Sequence, residues 1–196
     1  QSTTVVVGHQ AEAVRAALSW HSGVTFVVQE PQLGTAHALL TAEPTLKGAT
    51  GTLILLSADV PLLSARTLVR LVDHHRATHA AATVVTAVVE RPQGYGRIVR
   101  SGGRIARIVE ERDADRAERT IREINSGIYA FDLDGLFDAV RAVAANNAQR
   151  EYYLPDLVAI YGAGGRTVET MTVADPDEIR GINSRADLAE VSRIVR

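Results

Sequence analysis

The sequence predicts an α/β domain: an open, mostly parallel sheet flanked by helices, with a small β lobe over the carboxyl edge of the sheet. Three observations support this class. Strand-like and helix-like stretches alternate through the first half of the chain. One strand-like stretch, Leu53 to Leu56, is wholly aliphatic, as in a strand covered on both faces. A hairpin signal at Ser101-Gly102-Gly103 then interrupts the alternation.

The strands predicted in the first half are short and rich in β-branched residues. They cover Thr3 to Val7, Val24 to Val28, Thr52 to Leu56 and Ala82 to Val89. Apolar residues at helical spacing predict helices between these strands, over Ala11 to Leu18, Thr35 to Ala42 and "ARTLVRLVDHHRATH". Ser64 precedes the last of these helices and can cap it.

The second half begins with the hairpin "GYGRIVRSGGRIARIVEE" and a long strand, "TIREINSGIYAF". A helix from Asp134 to Ala145, a short helix in "YYLPDLVAIYGAGG", a strand in "RTVETMTV" and a helix from Ser184 to Val195 follow. We find no repeat and no linker, so residues 1–196 are interpreted as one domain.

Composition excludes several classes of function. The chain has no cysteine, which excludes disulfides, thiolate metal sites and cysteine nucleophiles. Its formal net charge of −2 argues against binding nucleic acid through a general positive field. No apolar stretch reaches the roughly 20 residues that cross a bilayer. We therefore expect a cytoplasmic protein with no nucleic-acid and no membrane partner.

Asp59 stands where the aliphatic strand gives way to a tight corner, "SADVP". In open α/β sheets, ligands bind at the carboxyl ends of the strands. A hard cation such as Mg²⁺ takes oxygen ligands, and it often uses few protein groups because phosphates and water complete its shell. A turn residue or helix cap would also explain this aspartate. Both interpretations of Asp59, metal ligand and structural turn, remain open from the residues alone.

A second candidate is the loop in "QEPQLGTAHAL", which connects a strand to a helix and lacks the G-K-[ST] motif of a Walker loop. Gln29 and Gln32 supply amide groups, and Gly34-Thr35 opens a helix whose N-terminus favours anions. A nucleotide-binding loop and an ordinary strand-to-helix connection both fit this pattern.

The third candidate group consists of Gly96, Glu110 and Asn125. Gly96, in "GYGRI", lets the backbone approach a ligand or simply makes a tight turn. Glu110 ends one strand and Asn125 lies in the next, and this pair suits sugar hydroxyls but also suits an ordinary polar cross-strand pair. Asn183, in "GINSR", precedes the last helix at a position typical of an N-cap.

Seven segments in order resemble the uridylyltransferase domain of bacterial N-acetylglucosamine-1-phosphate uridylyltransferases. They are "QEPQLGTAHAL", "SADVPLL", "GYGRIVR", "IVEERDA", "EINSGIYAF", "NNAQREYYLPDL" and "GINSRADL". In that family the domain forms the first half of a bifunctional enzyme that ends in an acetyltransferase domain. The resemblance covers nearly the whole chain and implies a Rossmann-like nucleotidyltransferase fold.

The resemblance also implies a role for each candidate. The residues implied to bind the uridine nucleotide are Gln29, Gln32, Gly34 and Thr35. Those implied to bind the sugar are Gly96, Glu110, Asn125 and Tyr153. Asp59 and Asn183 are the implied Mg²⁺ ligands, and Asp59 is the residue implied to be central to catalysis.

The sequence departs from the family pattern at three points. Ala58 stands where the family usually has glycine, and Pro155 where it often has threonine. The glycine-rich strand-loop that begins the family's domain, with its arginine and lysine, has no counterpart in the sequence. We therefore expect the domain to be N-terminally incomplete in residues 1–196, with an unpaired sheet edge beside Thr3 to Val7 and no activity of these residues alone.

The implied reaction transfers UMP from UTP to N-acetylglucosamine 1-phosphate, giving UDP-N-acetylglucosamine and pyrophosphate. A nucleotidyltransferase for another sugar phosphate or base, and a non-catalytic nucleotide-sugar binding module, are the alternatives. A homotrimer is expected only if a hexapeptide-repeat domain follows in the natural protein.

Overall fold

The computed structural model describes residues 2–182 and 184–194 and divides the strands between two sheets. The smaller sheet contains β1 (Thr3–Val7) and β2 (Val24–Val28), which are parallel and are joined through α1 (Ala11–Ala17). Among the described strands, β1 pairs with β2 alone, so the expected unpaired edge beside β1 is present. No residue of α1 is buried.

The larger sheet has six strands. They are β3 (Thr52–Leu55), β4 (Ala82–Val88), β5 (Arg97–Ser101), β6 (Arg104–Val109), β7 (Glu123–Asp132) and β8 (Val168–Thr172). The order is β6-β5-β7-β4-β8, and β3 also pairs with β7. The hairpin predicted around residues 101–103 is β5–β6, which joins the sheet through the pair Arg97 and Ile124.

The long strand β7 organises this sheet because three strands pair with it. β4 follows one edge of β7 along most of its length. The other edge is shared: β3 pairs with its second half, from Tyr129 to Asp132, and β5 meets it at Ile124. Among the pairings of the described strands, residues 126–128 have no partner on this shared edge. A gap therefore opens between the end of β3 and the start of β5.

The α/β class is confirmed, but the sheet is less parallel than predicted. Only β1–β2 and β4–β8 are parallel pairs, whereas β3–β7, β4–β7, β5–β6 and β5–β7 are antiparallel. The physical reason is the course of β7, which runs back between β3 and β4 and separates two strands of the same direction.

Helices cover both faces of the larger sheet. One face carries α2 (Thr35–Ala42), α4 (Leu136–Arg141) and α5 (Leu157–Ala163), whose apolar residues pack on Val84, Tyr129 and Phe131. The other face carries α3 (Ala65–Thr78), whose Leu71 packs with Val85 and Ile128. Successive strand residues thus enter opposite cores, as the two-residue period of a strand requires.

The helix boundaries follow the prediction with two exceptions. Ser64 caps α3 as predicted, and its Oγ accepts a hydrogen bond from the Thr67 N–H at 3.1 Å. The helix predicted to reach Ala145 ends at Arg141, where the chain enters a turn. The last helix, α6 (Arg185–Ile194), was predicted to end at Val195, which lies outside the described residues.

None of the helices described is long and apolar enough to cross a membrane.

Candidate functional site

A cavity of about 210 Å³ lies at the gap on the shared edge of β7. Its lining residues are Ser57, Asp59, Val60, Gly94, Tyr95, Gly96, Glu110, Asn125, Ser126, Gly127, Ile179 and Gly181. The cavity therefore brings together four residues that were singled out from the sequence, each from a separate segment: Asp59, Gly96, Glu110 and Asn125. The cavity lies at the carboxyl ends of β3 and β4, where ligands bind in α/β folds.

Asp59 occupies a turn that begins three residues after β3 ends. The chain leaves β3 by passing close to Gly127, where a Cβ atom would lie 2.7 Å from the Ser57 Oγ. Gly127 also has a φ of +76°, so a side chain would be excluded there by both contact and conformation. This close crossing of two strands directs the chain toward the cavity and leaves the Asp59 side chain exposed at its edge.

The backbone of Asp59 is anchored to the segment that precedes α6. The Ile182 N–H donates a hydrogen bond to the Asp59 carbonyl oxygen at 2.9 Å. Asn183, the second predicted metal ligand, lies outside the described residues. In the described part of the chain, no group of three or more histidine, cysteine, aspartate or glutamate side chains could hold a metal ion. Mg²⁺ often completes its shell with oxygen ligands from a substrate and from water.

Gly96 lies next to both Glu110 and Asn125. A Cβ atom on Gly96 would lie 3.0 Å from the Glu110 Oε1 and 3.4 Å from the Asn125 Cβ. The Asn125 N–H donates to the Gly96 carbonyl oxygen at 2.9 Å, which extends the pairing of β5 with β7. The missing side chain at position 96 therefore makes room for the Glu110 carboxylate beside the amide.

The Glu110 carboxyl is harder to ionise than an ordinary glutamate. Burial raises its pKa, and the neighbouring carboxylates of Asp113 and Asp156 raise it further, while the Arg97 guanidinium partly opposes them. A hydrogen-bonding ligand that brings hydroxyl donors would favour the ionised form of Glu110.

The orientation of the Asn125 side-chain amide follows from its neighbours. Its Oδ1 accepts hydrogen bonds from the Gly127 N–H at 3.1 Å and from the Tyr129 hydroxyl at 3.0 Å. The Nδ2 group has no hydrogen bond to any described residue. Asn125 is 8% exposed and lines the cavity, so its amide N–H groups are available to a ligand there.

Gln29 and Gln32 line a second cavity, of about 430 Å³, at the carboxyl ends of β1 and β2. The Gln29 Nε2 donates to the Gly34 carbonyl oxygen at 2.9 Å and lies 2.9 Å from the His37 Nδ1. A Cβ atom on Gly8 would lie 2.6 Å from the Gln32 Nε2, so β1 ends against this glutamine. The two glutamines thus line the same cavity, and their role in binding a nucleotide stays a prediction.

Gly34 and Thr35 line neither of these two cavities. A Cβ atom on Gly34 would lie 2.7 Å from the Tyr152 carbonyl oxygen, and the φ of Gly34 is +104°. The Thr35 Oγ1 accepts a hydrogen bond from the Leu154 N–H at 3.0 Å. The Thr35 hydroxyl thus fastens α2 to a distant segment, and the nucleotide-binding role of this pair stays a prediction.

Tyr153, predicted to bind the sugar, is also absent from the lining of the cavity. It is 9% exposed, and its hydroxyl is buried without a hydrogen-bond partner among the described residues. Burial raises the pKa of Tyr153 to about 12, and the carboxylates of Asp113 and Glu110 contribute to the shift. The 151–154 segment packs inward against α2, and the role of Tyr153 at the sugar stays a prediction.

Several lining residues were not singled out from the sequence. Gly94 and Tyr95 belong to the motif that contains Gly96. Ser126 and Gly127 belong to the motif that contains Asn125. Gly127 follows Asn125 by two residues inside β7, and a glycine inside a strand was the available signal of a close backbone approach.

Comparison with known proteins decides the family. Residues 3–175 match the family model described as nucleotidyl transferase. The chain belongs to the nucleotidyl transferase family. It is 51% identical over 196 residues to the bifunctional protein GlmU of Syntrophotalea carbinolica (strain DSM 2380 / NBRC 103641 / GraBd1). It is 49% identical over 197 residues to the bifunctional protein GlmU of Brevibacillus brevis (strain 47 / JCM 6285 / NBRC 100599). Both alignments cover 100% of this chain and 42% of the relative, so the chain spans less than half the length of these nucleotidyl transferase relatives.

Solved structures of the same fold are more distant in sequence. A UDP-glucose pyrophosphorylase complexed with UDP-glucose superposes with a TM-score of 0.72 at 15% identity, over 100% of this chain and 80% of that one. A putative glucose-1-phosphate thymidylyltransferase from Bacillus anthracis gives 0.70 at 16% identity, over 98% and 75%. These likenesses support the Rossmann-like nucleotidyltransferase fold.

Proposed function

We propose that this nucleotidyl transferase domain, within its full-length protein, transfers UMP from UTP to N-acetylglucosamine 1-phosphate. The products are UDP-N-acetylglucosamine and pyrophosphate. One observation carries the proposal: an exposed aspartate and a carboxylate–amide pair converge on a single cavity at the carboxyl ends of the strands. The aspartate suits a phosphate-bound cation, and the pair suits a polar sugar.

In the proposed reaction, a phosphate oxygen of the sugar phosphate forms a bond to the α-phosphorus of UTP. The bond from that phosphorus to the oxygen bridging the α- and β-phosphates breaks, and pyrophosphate leaves with the electron pair. A phosphate dianion is already a nucleophile at neutral pH, so the protein needs no general base. Its tasks are alignment of the two substrates and stabilisation of negative charge.

Glu110 and Asn125 are suited to align the sugar. The Glu110 carboxylate accepts hydrogen bonds, whereas the free amide N–H groups of Asn125 donate them. The missing side chain of Gly96 leaves space next to both residues. A sugar that offers hydroxyl donors and a carbonyl or hydroxyl acceptor would satisfy both groups at once.

Gln29, which lines the second cavity, and the Gly34 backbone are proposed to contact the uracil base, with Gln32 and Thr35 in the same nucleotide-binding loop. Asp59, with Asn183, is proposed to hold Mg²⁺. The exposed carboxylate of Asp59 fits that cation, and the bound ion would neutralise charge on the phosphates. The fixed backbone of Asp59 would keep this carboxylate at the mouth of the cavity.

The test is pyrophosphate release by the full-length protein from UTP with a panel of sugar 1-phosphates, namely those of N-acetylglucosamine, glucosamine and glucose. We expect the highest kcat/KM with N-acetylglucosamine 1-phosphate, and loss of activity with EDTA that added Mg²⁺ restores. Equal rates with all sugars, a preference for another nucleoside triphosphate, or binding of the substrates without pyrophosphate release would overturn the proposal.

A further inference from the structure

Tyr129 is a buried side chain attached to the proposed sugar site through a single hydrogen bond. It follows Asn125 by four residues on β7, so both side chains emerge on the same face of the strand. Tyr129 is 2% exposed, and its ring stacks on Phe131 at a centroid distance of 5.4 Å. Its hydroxyl reaches the Asn125 Oδ1 at 3.0 Å and does not line the cavity.

We propose that Tyr129 is a positioning residue that holds the Asn125 amide in the orientation set by the Gly127 N–H, with Nδ2 toward the sugar cavity. The inference rests on the function proposed above and deepens it. Tyr129 would thereby stabilise Asn125 as a hydrogen-bond donor toward the substrate on one side of the site.

The direction of each hydrogen bond follows from elementary chemistry. The Gly127 N–H can only donate, so the side-chain atom that faces it at 3.1 Å must be the amide oxygen. The Tyr129 hydroxyl points at the same oxygen and must therefore donate as well. Rotation of the amide by half a turn would place an N–H of Nδ2 against the Gly127 N–H, which cannot accept, and would break the hydrogen bond that the Tyr129 hydroxyl donates. The amide is thereby locked with Nδ2 outward.

The surroundings keep Tyr129 in its donating form. Burial raises the pKa of its hydroxyl, and the nearby Glu110 carboxylate raises it further. The hydroxyl therefore carries its proton at every pH at which an enzyme of this type operates. Gly127 alone would hold the amide by one bond, and the second bond from Tyr129 makes the orientation more secure.

The fixed orientation of the Asn125 amide has a consequence for the substrate. Glu110 presents an acceptor and Asn125 presents a donor on adjoining sides of the cavity. A reversed amide would place a second acceptor near the Glu110 carboxylate, and a substrate would then need donors on both sides. The fixed polarity selects a sugar phosphate with an acceptor, such as a carbonyl oxygen, opposite Asn125.

The variant Tyr129→Phe removes the hydroxyl and keeps the ring. Tyr161→Phe is the matched control, because Tyr161 is also 2% exposed and its hydroxyl has no partner among the described residues. In Tyr129→Phe we expect the KM for the sugar phosphate to rise roughly three- to tenfold, the effect of one ordinary hydrogen bond. The KM for UTP and kcat should stay within about twofold, and Tyr161→Phe should match the wild type in all three.

A measurement independent of turnover is the side-chain ¹⁵N–¹H amide signal of Asn125. It should shift or broaden in Tyr129→Phe and stay unchanged in Tyr161→Phe, with the side-chain signal of Gln29 as an internal reference. An unchanged Asn125 signal in Tyr129→Phe would overturn the inference. So would a parallel loss in kcat and in both KM values, because that result indicates general structural damage.

If the wild-type protein releases no pyrophosphate, the proposed function fails, and the Asn125 signal still decides whether Tyr129 holds the amide.

Discussion

Two consecutive carboxylates at the end of β6 have opposite environments. Burial, with the charges of Asp113 and Asp156, raises the pKa of Glu110. Burial acts on Glu111 in the same sense, but hydrogen bonds from the Arg97 guanidinium at 2.5 Å and the Gly94 N–H at 3.2 Å lower its pKa overall. Glu110 thus lines the cavity, where its ionised form is destabilised. Glu111, in contrast, is stabilised as a carboxylate that holds the turn containing Gly94.

The two residues should therefore give opposite pH dependences of stability. Folding raises the pKa of Glu110, so stability falls as pH rises from its ordinary pKa through the raised value. Folding lowers the pKa of Glu111, so its stabilisation is present above the ordinary pKa and is lost as pH falls through the lowered value. Urea unfolding of Glu110→Gln and Glu111→Gln, at neutral pH and at about pH 3, measures both effects.

At neutral pH, Glu110→Gln should be at least as stable as the wild type. Glu111→Gln should be less stable by about 1–2 kcal/mol, because a charged hydrogen bond to a buried arginine is weakened. Both differences should shrink at the acidic pH. Equal effects of the two substitutions at neutral pH would contradict the assignment of their environments.

Among the strands, the meeting of β5, β6 and β7 builds the sugar side of the cavity. The sequence grouped Gly96, Glu110 and Asn125 as candidates for one site, and all three line the cavity, where β5 lies between β6 and β7. It did not predict the shared edge of β7, since the pairing of Leu55 with Tyr129 joins residues far apart in the chain. Two other features also depend on long-range contacts, which leave no pattern in the local sequence. They are the inward packing of Tyr153 and the hydrogen bond between Leu154 and Thr35.

Gly96→Ala tests how tightly these strands meet. The new methyl group would lie 3.0 Å from the Glu110 Oε1 and 3.1 Å from the Ile108 Cγ2, so the Glu110 side chain must move. We expect a rise in the KM for the sugar phosphate of roughly tenfold and a loss of stability of about 1–2 kcal/mol, as for an overpacked site. Kinetics with each substrate varied in turn, together with urea unfolding, give both quantities.

Gly162→Ala is the matched control for that experiment. Gly162 lies in α5 with no atom within 4 Å of an added Cβ, so alanine should leave kinetics unchanged and stabilise the helix by about 0.5–1 kcal/mol. Unaltered sugar kinetics in Gly96→Ala would show that position 96 has more room than the structure indicates.

Across the whole molecule, the proposed nucleotide and sugar sites lie on different sheets. The cavity with Gln29 and Gln32 lies at the ends of β1 and β2, and the cavity with Asp59 lies at the ends of β3 and β4. The α/β rhythm of the sequence was enough to predict that both sites occupy carboxyl ends of strands. It could not predict that β7 separates β3 from β4, because the antiparallel return of one long strand does not alter the local pattern of any of the three.

The most direct test of the proposed function is the rate of pyrophosphate release in full-length Asp59→Asn. The substitution keeps the size of the side chain and removes its charge. Because the side chain is exposed, we expect unchanged stability. If Asp59 holds the phosphate-bound cation, kcat should fall by about a hundredfold or more. Asp138→Asn, which changes a carboxylate on α4 with 90% side-chain exposure, should leave the rate unchanged. An Asp59→Asn enzyme that is as fast as the wild type would contradict the placement of the reaction in this cavity.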